Sequence, residues 1–247
     1  MHPLEPSAIV AELRAIGFAR CEAREIAPAL AARGLADWEG FAASWDDLGL
    51  DLYMADGGRY RRRRHAVFSL GSEGLIRETR RPHYQSRDYN ALNGGIARWF
   101  EPVKEEIANH PALRAALALA YEAFNRITPH DSWEIELHQF RITAAEGGEG
   151  RPTPEGMHRD GVDFVMVMLV RRENVQSGVT IIEDTAHSKL DSFILSAPMD
   201  ATFVDDRRVF HGVTPIVPID PAVPGWRDVL VATFRRVDVL SPSTARA

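Results

Sequence analysis

"GMHRDGVDFVMVMLV", residues 156–170, is the stretch on which the reading of this chain turns. It sets His158 and Asp160 two residues apart, directly ahead of one of the most apolar runs in the sequence. In a β-strand residues i and i+2 share a face, so both side chains are expected to point the same way, toward the side of Val162, Phe164, Met166 and Met168. An imidazole and a carboxylate that face a core need partners, because an unpaired buried polar group is costly. Three arrangements provide them: a hydrogen-bonded pair at a strand end, a catalytic dyad, or two ligands of a metal ion whose third ligand lies elsewhere. Phe164, Met166 and Met168 lie deeper along the strand than Asp160 and read as core.

From Trp133 onward the chain reads as short strands separated by turn chemistry such as "EGGEG", "RRENVQSG", "SAPMDA" and "VPIDPAVPG". Upstream the pattern is helical. Residues 1–45 read as a helical packing segment, with Ser7 as a candidate N-cap and Ile9, Leu13 and Ile16 at helical spacing. A second helical region is expected from Gly94 to Arg126, with Ile96, Phe100, Val103 and Ile107 as one stripe and Pro111 in the first turn of its second helix. The expected fold is mainly β with flanking helices, a sandwich or jelly roll over residues 50–240. At 247 residues and 45% hydrophobic content, one domain spanning 1–247 has material for a substantial core.

A formal charge of -6 and a pI near 5.9 speak against a nucleic-acid or anionic-membrane binder, since both partners call for a basic surface. Cys21 is the only cysteine, which excludes an intrachain disulfide and a thiolate zinc cluster. The opening residues have no basic leader followed by an apolar block, and no stretch approaches the roughly 18 apolar residues of a membrane span. A small-molecule enzyme of the reducing cytoplasm is the expectation.

Further polar residues interrupt the strands. In "WEIELHQFRIT" (133–143) Gln139 and Arg141 continue the face of Trp133, Ile135 and Leu137, either at the rim of the core or facing a ligand. His211 ends an apolar segment in "ATFVDDRRVFHGVTPI" (201–216). Arg227 opens "GWRDVLVATF" (225–234), with Val229, Val231 and Thr233 on its face, and a buried guanidinium wants a carboxylate that its planar fork can grip. Two imidazoles and one carboxylate on one side of an octahedral ion leave adjacent positions open, which suits a non-haem Fe(II) site. The same three residues could also hold zinc with an open position, as in a hydrolase. The arginine run 61–64 reads as a solvated strand with one or two inward members, His187 as a solvent-exposed alternative third ligand, and Asp205 and Asp206 as turn acceptors. Asn90 and Asn93 read as turn and cap residues.

"HRDGVDFV", "DDRRVFHGVTPI" and "GWRDVLVATF", with "RYRRRRHAVF", "YNALNGG" and "HQFRIT" upstream, resemble the core motifs of bacterial Fe(II)/2-oxoglutarate dioxygenases. The resemblance is to the group that contains the free-amino-acid hydroxylases of the isoleucine 4-hydroxylase type and the BsmA-like biofilm stress and motility proteins. It implies a double-stranded β-helix with His158, Asp160 and His211 as catalytic iron ligands and Arg227 as the anchor for the distal carboxylate of 2-oxoglutarate. Thr233, Gln139 and Arg141 join Arg227 as candidate cofactor-binding residues, Gln139 and Arg141 also as candidates for a substrate zwitterion. The implied cofactors are Fe(II) and 2-oxoglutarate, with ascorbate as reductant in vitro. The implied partners are dioxygen and a small molecule, a free aliphatic L-amino acid; the wall around Asn90 and Asn93 would border its pocket. The rival readings are a zinc-dependent hydrolase and a non-catalytic regulatory protein on the same fold.

Overall fold

Gly17 ends the first helix and turns the chain into a strand. In the computed structural model, which describes residues 6–144 and 148–237, helix α1 (Pro6–Ile16) buries Ile9, Val10 and Leu13 on one face. Ser7 lies inside this helix rather than capping it. Gly17 stands at φ +84°, its N–H donating to the Leu13 carbonyl at 3.0 Å, and an added Cβ would meet Val209 at 3.0 Å. Strand β1 (Phe18–Cys21) follows where the sequence pattern suggested helix, before helices α2 (Ala23–Ala31) and α3 (Trp38–Ala43) and a 3-10 turn, Ser44–Asp47.

The expected helix from Gly94 is also corrected. Gly95 is at φ +82°, and the segment runs extended, Arg98 pairing with His83 and Pro102 bridging to His65. Phe100 and Val103 are therefore buried from an extended chain, while Ile96 is exposed. Helix begins only at α4 (Glu105–Ala108) and α5 (Pro111–Ile127), where Pro111 occupies the first turn as expected.

The remaining elements are strands: β2 (Arg61–Gly71), β3 (Gly74–Arg77), β4 (Trp133–Ala144), β5 (Phe164–Glu173), β6 (Val175–Ser177), β7 (Thr180–Asp184), β8 (Lys189–Phe193), β9 (Ala201–Asp205), β10 (Val209–Val213), β11 (Ile216–Pro218) and β12 (Gly225–Arg236). An antiparallel seven-stranded sheet runs β1-β9-β5-β12-β4-β2-β3, opposed by the sheets β10-β7-β8 and β11-β6. The expected turn "EGGEG" begins at Glu146 and Gly147, outside the described residues.

Both faces of the large sheet are covered. On one, Trp133, Ile135, Leu137, Phe164, Met166 and Met168 pack against the helices in a single apolar cluster, with Phe124 of α5 stacked on Phe164 at 4.6 Å. On the other, Val165, Leu169, Val204 and Val229 meet Ile182, Phe193 and Val209 of the small sheet. The result is a jelly roll, a double-stranded β-helix with flanking helices. Among the described residues no helix is long and apolar enough to cross a membrane.

Candidate active site

Strand register determines what enters the space between the sheets. β12 pairs with β4, and β4 with β2, so residues line up in rows across three strands: Arg227–Ile142–Arg61, Val229–Phe140–Arg63, Val231–His138–His65 and Thr233–Glu136–Val67. The first three rows, save His65, together with Thr233 and Glu136, line a cavity of about 330 Å³ that also takes in His158, Asp160 and His211.

His158 and Asp160 sit in the segment before β5, not in the strand. Gly161, at φ +79°, breaks the extended backbone, so the alternation of β5 does not continue back to Asp160. This corrects the expected shared face: Val165 and Val167 look between the sheets, Phe164, Met166 and Met168 toward the helices. Gly161 also lies under Tyr89, whose ring a Cβ would meet at 2.6 Å.

Three contacts fix the triad. The His158 N–H donates to the His211 carbonyl at 3.0 Å and the His211 N–H to that of His158 at 2.9 Å, which brings the two rings to a centroid distance of 4.5 Å. Asp206 accepts the backbone N–H groups of Asp160, Gly161 and Val162 at 2.8, 2.8 and 3.1 Å, so the expected turn acceptor is the clamp of the Asp160 loop. Gln85 donates from Nε2 to the Asp160 carbonyl and to its Oδ1, both at 3.2 Å, and is itself held by Asn90 at 3.1 Å. Asn90 thus caps a turn, as expected, by accepting the Asn93 N–H at 2.7 Å, and lines the cavity, whereas the Asn93 side chain accepts from the distant Ala55 N–H at 2.9 Å.

One ligand atom from each of His158, Asp160 and His211 can be chosen so that all lie within 4.8 Å of one another. His158 Nε2 is 3.8 Å from Asp160 Oδ1, and His211 Nε2 is 3.5 Å from Oδ2. The contact of His158 Nδ1 with the Gly156 carbonyl at 3.0 Å places the ring proton on Nδ1, leaving the Nε2 lone pair aimed at the carboxylate. Burial and the neighbouring His158 hold the His211 pKa well down, so that imidazole is a neutral electron-pair donor. Burial opposes a charge on His158, but Asp160 and Glu155 outweigh it and raise the pKa. His187 is exposed and paired with Glu183 at 3.2 Å, away from this cluster.

Arg227 is 2% exposed, and its Nε and Nη2 are buried without a partner. Burial, then the charge of Arg172, lowers its pKa to about 10, which leaves it cationic at neutral pH. A two-histidine, one-carboxylate donor set and an orphaned guanidinium in one cavity fit an iron ion and a dicarboxylate that chelates it.

Gln139 and Arg141 do not join them, which corrects the expected cofactor contact. They lie on the opposite face of β4: Gln139 donates to Ser44 Oγ at 2.9 Å, and Arg141 grips Asp228 with two bonds of 2.7 Å. The alternating residues Glu136, His138 and Phe140 face the cavity instead. There the sequence reading missed a second cluster. Ligand atoms of His65, His83, Glu136 and His138 also gather within 4.8 Å. Glu136 accepts from both His65 and His83, while Arg63 Nη2 donates to His138 Nδ1 at 2.7 Å. Arg61 and Arg63 are the inward members of the arginine run; Arg61 is paired with Asp51 at 2.8 Å. The alternation within "RYRRRRHAVF" and "WEIELHQF" carried a signal for Arg61, Arg63, His65, Glu136 and His138. His83 and Arg98, in irregular chain, carried none.

A family model described as 2OG-Fe dioxygenase matches residues 42–233. The L-isoleucine-4-hydroxylase of Bacillus thuringiensis is 27% identical over 194 residues, covering 75% of this chain and 80% of that protein. The 3(1)-hydroxy-L-isoleucine 4-dioxygenase of Pantoea ananatis is 26% identical over 159 residues, or 63% of this chain and 64% of the relative. The crystal structure of a BsmA homologue from Methylobium petroleophilum PM1 superposes with a TM-score of 0.86 at 38% identity, covering 98% of this chain and 97% of that one.

Proposed function

The chain belongs to the 2OG-Fe dioxygenase family, an oxygenase family that uses Fe(II) and 2-oxoglutarate, and from that premise we propose that it hydroxylates a free aliphatic L-amino acid. His158, Asp160 and His211 would hold the iron, and Arg227 the distal carboxylate of 2-oxoglutarate. The observation that carries the cofactor half of this reading is the buried, unpaired Arg227 guanidinium in the same cavity as the triad. When bound, iron and 2-oxoglutarate supply the oxidising chemistry: 2-oxoglutarate is decarboxylated to succinate while one oxygen atom of dioxygen enters a substrate C–H bond.

The chain's own residues orient and shelter that chemistry. Asp206 and Gln85 hold Asp160 in place, and the Gly156 carbonyl sets the His158 tautomer. Val167, Val229 and Val231 form an apolar wall that excludes water and suits an aliphatic side chain. The substrate class draws support from the two curated relatives, whose names both specify an isoleucine-type amino acid. A reducing cytoplasm suits a protein whose single thiol, Cys21, is buried and free.

The test is incubation of purified protein with Fe(II), ascorbate, 2-oxoglutarate and a panel of amino acids. The expected readout is substrate-dependent succinate together with a product heavier by one oxygen atom. If no free amino acid raises succinate above the uncoupled background while other small acids do, the amino-acid reading falls and the dioxygenase assignment stands.

A further inference from the structure

The β2 side of the cavity carries positive charge that iron and 2-oxoglutarate leave unanswered. Arg98 is 2% exposed and lines the cavity, yet among the described residues its guanidinium makes no hydrogen bond or ion pair, and its Nε and Nη2 are buried without a partner. Arg63, 3% exposed, is clamped between Phe100 and Phe140, with its Cζ 3.6 and 4.4 Å from the ring centroids, and its Nε is likewise unpaired. Burial and the positive charge of Arg61 lower the pKa of both, and Arg98 adds its own field at Arg63. Leaving such donors dry and unpaired is costly, whereas an anion between them would satisfy both.

The acids nearby are already engaged. Asp51 binds Arg61 through Nε and Nη2, each at 2.8 Å, and also lies 3.6 Å from Arg63 Nη1, so Arg98 is the guanidinium left without an acid; Glu136 accepts from His65 and His83. The four-residue cluster here is also a poor cation site. His138 Nδ1 is occupied by Arg63, the protons of His65 and His83 point at Glu136, and Arg63 and Arg98 add positive charge beside it.

We propose that Arg98, assisted by Arg63, is the anchor for the carboxylate of the substrate, so that an anionic carboxyl group is a requirement for binding. This rests on the dioxygenase reading of the cavity. The anchor is separate from that of 2-oxoglutarate: Arg227 is level with Arg61 in the β12–β4–β2 register, so the backbones of β12 and β2 lie two strand spacings apart, roughly 10 Å, and Arg98 belongs to the segment that joins the other edge of β2 through Pro102 and His65. Glu155 gives the second end of a zwitterion a partner. Its Oε2 is buried and unpaired in the same cavity, and its charge reaches Arg98.

The experiment is anaerobic calorimetric titration of protein loaded with Fe(II) and 2-oxoglutarate. The ligands are L-isoleucine, its primary carboxamide, and the matching acid that lacks the amino group. Loss of a charge-assisted contact in a dry site predicts that the carboxamide binds wild type at least about tenfold more weakly than the amino acid. Arg98→Met should weaken the amino acid by a similar factor and leave 2-oxoglutarate affinity nearly unchanged, with partial recovery in Arg98→Lys. A carboxamide that binds as tightly as the acid overturns the proposal without recourse to any variant. So does an Arg98→Met protein that loses 2-oxoglutarate and retains the amino acid. If the deaminated acid binds, the amino acid does not, and Arg98→Met abolishes that binding, the anchor stands and the amino-acid reading falls. If no carboxylate in the set binds loaded wild type, the anchor is wrong, while the preceding binding of 2-oxoglutarate tests the dioxygenase reading separately.

Discussion

Two histidine–carboxylate clusters border one cavity, with His65 of the second behind its wall, and they differ in where their protons and lone pairs point. In His158, Asp160 and His211 the outward hydrogen bond of His158 goes to a backbone carbonyl, and the ring nitrogens facing Asp160 lie 3.5–3.8 Å away, too far for hydrogen bonds but well placed to share an ion. In His65, His83, Glu136 and His138 the acceptors are consumed internally, and Arg63 occupies a ring nitrogen. Gathering ligand-type residues is therefore insufficient for a metal site. The surrounding donors decide whether the lone pairs are available.

The sharpest way to break this comparison is to count metal. His158→Ala, Asp160→Ala and His211→Ala should each lose stoichiometric Fe(II) and all coupled turnover, whereas His83→Gln should retain one iron per chain. Iron retained in His211→Ala, or lost in His83→Gln, would reverse the assignment of the two clusters; elemental analysis after gel filtration reads either outcome. Next in size is Arg227→Ala, expected to raise the 2-oxoglutarate requirement more than tenfold, corresponding to about 1.5–3 kcal/mol, at unchanged iron affinity, with Arg227→Lys between. Anaerobic titration followed by visible absorption measures it, and an unaltered midpoint would remove Arg227 from this role.

Asp206→Asn tests the clamp behind the first cluster. It keeps the size of the side chain but weakens acceptance from three backbone N–H groups, so iron affinity should fall by roughly 10–100-fold, the range seen for outer-shell ligand partners, without loss of the fold. Unchanged iron affinity in a folded variant would show that the loop holds itself.

The smallest effect belongs to the second cluster and concerns pH. Burial, only partly offset by Glu136, depresses His83 from 6.5 to about 4, and burial lowers His65 and His138 as well. Between those values the unfolded chain takes up a proton that the folded His83 refuses. The stability gained is thus fully present above pH 6.5 and lost as pH falls toward about 4. The unfolding temperature should drop across that window, and His83→Gln should drop less steeply; equal slopes would remove His83 as a contributor.

Much of the first cluster was legible because its signals are local. H-x-D before an apolar run, a strand-borne histidine and an arginine opening a strand each sit within a short quoted segment, and turn chemistry marked the strands around them. The resemblance of these segments supplied the roles, which composition and spacing left open between iron, zinc and plain structure. What failed was facing. β4 is covered on both sides, so alternation of Trp133, Ile135 and Leu137 identified a buried face without telling which face borders the cavity, and Gln139 and Arg141 were assigned to the wrong one. The Gly161 break likewise ended the two-residue period ahead of Phe164.

By itself the sequence determined the strand-rich architecture, the helical start at α1, an arginine run with one or two inward members, and the candidates His158, Asp160, His211 and Arg227. Only the tertiary structure decided which of its nine histidines share a site and which of its guanidiniums are left without an acceptor. Those are properties of pairing between distant segments: β12 against β4, β4 against β2, and an extended stretch from His83 to Arg98 folded beside them. A hydrogen bond or ion pair between such segments depends on register and on where a strand breaks. Neither follows from local propensity, which is why Arg98 is silent in the sequence and conspicuous in the fold.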